Sequence, residues 1–217
     1  ARMDTWAEES RADRCALFAR HHLRPLRYYT DMRRDLAAAR LPRPRLPGGL
    51  RLQPYREELS EGVRAAHNDV FRDHWGSQPL TAAHWALRVT GSRHFRPGWS
   101  FVVSTTSTTS TTSSGGGAGG TDVVAGYLLS GAYEEDWPAQ GFREGWTDLL
   151  GVRRPLRRRG VASALLTAAA RAYAADGMVA AGLDVDSANP SGAVRLYTAH
   201  GYRPARRSVL HAKDLPA

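Results

Sequence analysis

Apolar residues recur at helical spacing in Leu59, Val63, Ala66 and Val70, so the segment from about Glu57 to Arg72 is expected to be a helix with one buried face. A short strand, Leu50 to Tyr55, precedes it, and a second helix, about Thr81 to Val89, starts at a Thr cap after Pro79. Three β-rich runs follow: Trp99 to Val103, Val123 to Leu129 and Gly145 to Val152. The clearest helix runs from Gly160 to Ala175, with Val161, Leu165, Ala169 and Tyr173 on one face and a stop at Asp176-Gly177. A strand, Val179 to Val185, a short helix, Pro190 to His200, and two short strands after Gly201 complete the pattern. This order predicts a mixed α/β sheet with one crossover connection.

The first 36 residues stand apart. They predict one amphipathic helix, with Trp6, Cys15, Leu17 and Phe18 among its apolar positions, then a β-rich Leu26 to Met32. Residues 16–36 also align without gaps onto residues 195–215: Leu17 with Leu196, His21 with His200, Arg24, Pro25 and Arg27 with Arg203, Pro204 and Arg206, and Asp35-Leu36 with Asp214-Leu215. Residues 1–36 therefore read as the C-terminal remnant of a preceding homologous copy, one domain length away. Residues 37–49, with Pro42, Pro44, Pro47 and Gly48-Gly49, read as a linker, and residues 50–217 as the complete domain. Within that domain, residues 104–120 are Ser, Thr, Gly and one Ala, the composition of a flexible loop, and the strands on either side are expected to pair across it.

Composition narrows the function. The chain has 217 residues and a formal charge of +9, and because Lys213 is its one lysine, nearly all of its 30 basic residues are arginines. Such an excess looks like coding bias as much as function, and it weighs against a nucleic-acid partner except where arginines cluster, at Arg153, Arg154, Arg157, Arg158 and Arg159. Cys15 is the lone cysteine, which excludes an intrachain disulfide and favours a cytoplasmic setting. No apolar run is long enough to span a membrane, and the histidines lack zinc-site spacing, so neither a membrane nor a metal is expected.

The arginine cluster lies between a strand ending Leu149-Leu150-Gly151-Val152 and a helix opening Arg157-Arg158-Arg159-Gly160-Val161-Ala162. A helix start has unpaired N–H groups and the positive end of the macrodipole, and Gly160 and Ala162 leave room for a pyrophosphate to approach the backbone. Here the sequence resembles the GNAT superfamily of acyl-CoA-dependent acyltransferases, whose pyrophosphate loop reads Gln/Arg-x-x-Gly-x-Gly/Ala. Arg157, Gly160 and Ala162 fill that pattern, and Asn189-Pro190, Ala193, Leu196, Tyr197 and Gly201-Tyr202 resemble the family's later run. The resemblance covers about residues 50–215 and is motif-specific from about 146 to 204.

The resemblance implies a GNAT-like fold, a mixed but mostly antiparallel sheet flanked by helices, with the helix-plus-strand tail before it. It implies acetyl-CoA as co-substrate, with Leu150, Gly151 and Val152 along the pantetheine, Arg157, Arg158, Arg159, Gly160, Val161, Ala162 and Ser163 at the pyrophosphate, and Asn189 along the arm. Tyr197 takes the position of a phenol that protonates the departing thiolate. Phe18 stands at the equivalent place in the tail, which points to one competent copy, and the tandem arrangement is similar to mycothiol synthases and related proteins. For the general base Asp148 comes first, expected on one strand face with Trp146 and Leu150, with Glu144, Glu134 and Glu135 as alternatives. The expected activity is acetyl transfer to a small-molecule or peptide primary amine. A non-catalytic acyl-CoA-binding module or a basic nucleic-acid-binding module is the competing class, and a homodimer through the N-terminal tail stays open.

Overall fold

The computed structural model describes residues 1–37, 41–106, 123–188 and 192–216. Linker residues 38–40, the polar tract from residue 107 onward and Asn189 lie outside the described residues. The strands are β1 (Arg2–Glu8), β2 (Arg24–Asp35), β3 (Leu50–Pro54), β4 (Phe101–Thr105), β5 (Val124–Gly131), β6 (Glu144–Val152), β7 (Ala180–Asp186) and β8 (Arg203–Asp214). They form one sheet in the order β1-β8-β2-β7-β6-β5-β4-β3. The helices are α1 (Ala12–Arg20), α2 (Ser60–Val70), α3 (Ala82–Trp85), α4 (Trp137–Gln140), α5 (Val161–Ala175) and α6 (Ala193–Ala199). Only β6 and β7, joined by the crossover helix α5, pair in parallel; every other neighbouring pair is antiparallel. The expected mixed, mostly antiparallel α/β sheet is what the chain forms.

Helix α5 closes one face. Its Leu165, Leu166, Ala169 and Tyr173 are buried, and its many alanines let it lie close to the strands. Gly145 on β6 is needed beneath it, because a Cβ there would overlap the Tyr173 ring. The buried Tyr173 hydroxyl meets Ser130 at 2.7 Å and Thr147 at 3.1 Å, which ties the helix to β5 and β6 with its polar atom satisfied. On the opposite face Val63 and Ala66 of α2 and Trp85 of α3 pack against Val102 and Tyr127, whose hydroxyl lies 2.7 Å from His67 Nδ1. Thr81 caps α3 by accepting from the His84 N–H, but the helix expected over 81–89 is α-helical only to Trp85 and continues as a π-helical turn, Ala86–Thr90.

Two expectations fail at the ends of the chain. Trp6 belongs to β1, not to a helix, because residues 2–8 form a seven-residue antiparallel ladder with β8. Local periodicity cannot register a partner two hundred residues away, and such pairing overrides a weak helical pattern. The two short strands expected after Gly201 are one strand, β8, flanked on both sides by the N-terminal strands β1 and β2, so no hairpin turn interrupts it.

The repeat seen in the sequence has a counterpart in the ladder. β2 and β8 pair about a centre where Tyr29 faces Ser208, positions related by the repeat's own offset. Arg24↔Ala212 is mirrored by Arg33↔Arg203, and Arg27↔Leu210 by Asp31↔Arg206. The ladder shifts past Leu26 on one strand and past Ala205 on the other, again equivalent positions. The Arg27–Asp186 ion pair, 2.5 Å, is answered by Arg206–Glu8 at 4.0 Å.

Candidate functional site

Strands β6 and β7 pair only over Glu144–Thr147 and Ala180–Leu183, and then part. The next residue on each strand is an aspartate, Asp148 on β6 and Asp184 on β7. Beyond that point Leu150, Gly151 and Val152 continue to pair with β5 on one edge and leave the other facing the gap. A strand edge of this kind offers amide groups to an extended, amide-bearing chain. The ladder to β5 shifts register across Asp148, with Leu129 opposite Leu149 and Ser130 opposite Thr147. This bulge corrects the expectation that Asp148, Trp146 and Leu150 share a face: Leu150 packs with the α5-side core, whereas Asp148 bonds to Tyr133, which lines a cavity with Trp146 on the other side.

That cavity, about 670 Å³, lies against the sheet face opposite α5. Its floor includes Trp146, Asp184, Asp31 and Arg206, and its far wall comes from Tyr133 and Trp137, beside α4. Asp148 Oδ1 accepts from the Tyr133 hydroxyl at 2.8 Å. Burial pushes the Asp148 carboxyl up to about 6, the negative charge of Asp184 adds to the rise, and the Tyr133 bond opposes it. Asp184 opens into the cavity but is flanked by protein, and burial, helped by Asp31, raises its carboxyl too. Tyr197, on α6, is 8% exposed, and burial together with Asp184 pushes its phenol up to about 12. The negative charge of Asp184 therefore acts on both Asp148 and Tyr197.

The α5 end of the gap has an open, uncapped helix start. Gly160 precedes the helix at φ +79°, no side chain caps the first turn, and beyond the adjoining chain no atom lies within 4 Å of where a Gly160 Cβ would stand. The first-turn amides of Val161, Ala162 and Ser163 thus begin at an open, left-handed glycine. Arg157, Arg158 and Arg159 are exposed beside it, and Arg157 Nε donates to the Val152 carbonyl at 3.0 Å. Arg153 and Arg154 are spent elsewhere, on Asp69 at 2.9 Å and on Asp73. The arginine cluster is therefore divided, with three of its five members at the helix start.

The alternative bases are engaged. Glu144 is buried against Arg33 at 2.9 Å, Glu134 pairs with Arg96 at 2.7 Å, and Glu135 pairs with Arg93 at 2.8 Å. His74-Trp75-Gly76 follows α2, and the Trp75 ring lies under Arg27 at 4.5 Å and Arg2 at 5.3 Å, which anchors the loop on the N-terminal strands. Sequence reasoning missed Asp184, Tyr133 and the contribution of residues 1–36. The signal for Asp184 was an acid alternating with apolar residues in a strand that otherwise reads as buried. Among the described residues no group of side chains could hold a metal ion, and no helix is long and apolar enough to cross a membrane.

The model of the Acetyltransferase (GNAT) family matches residues 66–202. No curated protein matches the chain. Among solved structures, the chain is similar to a GCN5-related N-acetyltransferase from Sphaerobacter thermophilus, with 23% identity over 98% of this chain and 59% of that one and a TM-score of 0.72. It is also similar to a tandem GNAT protein from the clavulanic acid biosynthesis pathway (13% identity, 100% of this chain, 65% of that one, TM-score 0.64). A third is a GCN5-related N-acetyltransferase from Kribbella flavida (16%, 98% and 68%, TM-score 0.61). At these identities the likeness is one of fold, and the chain spans about three-fifths of the length of the first two structures.

Proposed function

The chain belongs to the GNAT family of acetyltransferases, and we propose that it moves an acetyl group from acetyl-CoA to a primary amine by direct attack at the β6–β7 parting. The single observation that carries this reading is the pair of aspartates placed where the two strands separate, beside an uncapped glycine-led helix start. Leu150, Gly151 and Val152 present a free edge for the pantetheine amides. Arg157 to Ser163 receive the pyrophosphate, and the empty space at Gly160 is the cradle that a side chain would fill. Asn189 is assigned to the pantetheine arm by the family motif alone.

Asp148 accepts a proton from the acceptor ammonium, and the neutral amine attacks the thioester carbonyl. The C–N bond forms, the C–S bond breaks, and the second proton lost by nitrogen ends on sulfur or in solvent. At about 12, Tyr197 keeps its own proton at neutral pH. Full transfer to a thiolate, ordinarily about 8.5, runs uphill, so Tyr197 serves by donating a hydrogen bond to sulfur as negative charge develops there.

The proposed domain organisation follows the sequence: residues 1–36 as the end of a preceding copy, 37–49 as linker and 50–217 as the acetyltransferase domain. The mirrored β2–β8 register supports it, as does Phe18, which packs edge-to-face on His211 at 5.3 Å where Tyr197 has its hydroxyl. Isothermal titration with acetyl-CoA tests the function: one molecule bound per chain is expected, and absence of binding by the folded protein contradicts the proposal.

A further inference from the structure

The cavity beside Asp184 is built by both ends of the chain. Trp6 of β1 and Tyr29 of β2 meet edge-to-face at 4.8 Å and line it together with Trp137 and Trp146. These four π faces leave an aromatic-walled space of a size that holds a small molecule. Positions related by the internal repeat have diverged here. Tyr29 faces Ser208 across the centre of the ladder, and the strand position that carries Asp184 on β7 carries Trp6 on β1, since Asp31 pairs with Asp184 as Leu210 pairs with Trp6.

The charge of the lining is uneven. It holds four carboxylates, Asp31, Asp136, Glu144 and Asp184, against two guanidiniums, Arg33 and Arg206. Arg33 donates to both oxygens of Glu144, at 2.9 and 3.2 Å, and Arg206 holds Asp31 at 2.7 Å. Both guanidiniums are thereby occupied, which leaves no free cation in the lining to hold an anionic group. Asp184 and Asp136 have no basic partner among the described residues, the first on the floor beside Asp148 and the second at the exposed edge. Asp31 and Asp184 are direct cross-strand neighbours, and Arg206 neutralises the first while the second keeps its charge without a basic partner among the described residues.

We propose that the acceptor is a small organic dication: a primary ammonium seated at Asp184 and Asp148, an alkyl body against the aromatic walls, and a second ammonium at Asp136. Ammonium groups gain both from the unpaired carboxylates and from the π faces of Trp and Tyr. The N-terminal strands are then part of the acceptor site, as they supply Trp6, Tyr29 and Asp31. The inference rests on the acetyltransferase reading.

The test compares three amines of one chain length, 1,4-diaminobutane, n-butylamine and 4-aminobutyrate, in steady-state release of the CoA thiol. kcat/KM is expected to fall by about tenfold from the diamine to the monoamine and further to the amino acid, whose carboxylate faces Asp136. Asp136→Asn should narrow the diamine-to-monoamine ratio by about two- to fivefold, as suits a partly exposed ion pair. Calorimetric binding of 1,4-diaminobutane without acetyl-CoA gives a second readout, and Trp6→Ala should weaken it. Equal or better use of 4-aminobutyrate, or acetyl-CoA binding with none of the three amines acetylated, overturns the dication proposal alone. Failure to bind acetyl-CoA, while 1,4-diaminobutane still binds more tightly than 4-aminobutyrate, overturns the acetyltransferase reading and keeps the charge rule.

Discussion

Replacing Asp148 with asparagine should make the protein more stable and nearly inactive. Burial holds its carboxyl at about 6 against an ordinary 3.8. Between those values the folded protein retains a proton that the unfolded chain has released, so stability falls as pH rises through this window and stays lower above it. A shift of about 2 units corresponds to about 3 kcal/mol, an upper figure because the group is partly exposed and solvent screens it. Asparagine keeps the shape and accepts from Tyr133 through its amide oxygen, but gives up about 1 kcal/mol of charge-assisted bonding. The net gain is about 1–2 kcal/mol, or about 2–8 °C in Tm for a chain of this size. Thermal melts of both proteins should show the gap at about pH 7.5 and little of it near pH 4, where the folded carboxyl is protonated and the unfolded one is close to half protonated. Turnover should drop by about 10²- to 10⁴-fold, the range for loss of a general base. A gap unchanged near pH 4, or no gap at neutral pH, would refute the buried-charge argument, and full turnover would refute the base.

Tyr133→Phe removes the one bond that lowers the Asp148 carboxyl, so the acidic limb of kcat/KM should move above about 6, with Asp184 and His94 the other charges acting on that group; a limb that moves down contradicts the assignment. Gly160→Glu puts a carboxylate where the pyrophosphate must lie, and calorimetry should find acetyl-CoA affinity lost while circular dichroism remains that of the wild type. Gly145→Ala forces its methyl into the Tyr173 ring and should cost about 1–3 kcal/mol in urea unfolding.

How far the sequence reaches is clearest around α5. Alternation in β6, the glycine before the helix and the apolar face of Gly160 to Ala175 are local signals, and they placed the start of the helix within one residue of where it forms. The bulge at Asp148 was invisible because it is a property of pairing with β5, not of β6 alone. The same limit hid the entry of β2 between β7 and β8: its partners lie 145 or more residues away, and no local pattern names them. Asp184 was passed over because a single acid in a strand usually marks a solvent-facing position, and what sets it beside Asp148 is the parting of β6 and β7, visible only in three dimensions. Trp6 was drawn to a helix by its spacing from Cys15 and Leu17, whereas the ladder to β8 decides its place.

The central claim is acetyl transfer to an amine at the β6–β7 parting, with Tyr197 assisting the leaving sulfur. The most direct measurement follows CoA thiol and acetylated amine in the same reaction, by thiol titration and mass spectrometry, for the wild type and for Tyr197→Phe. The account predicts the two products in equal amounts for the wild type. For Tyr197→Phe it predicts kcat lowered by about tenfold or more at unchanged acetyl-CoA affinity, because the lost hydrogen bond matters when sulfur becomes charged. Thiol release without acetylated amine, or full turnover in Tyr197→Phe, would contradict it.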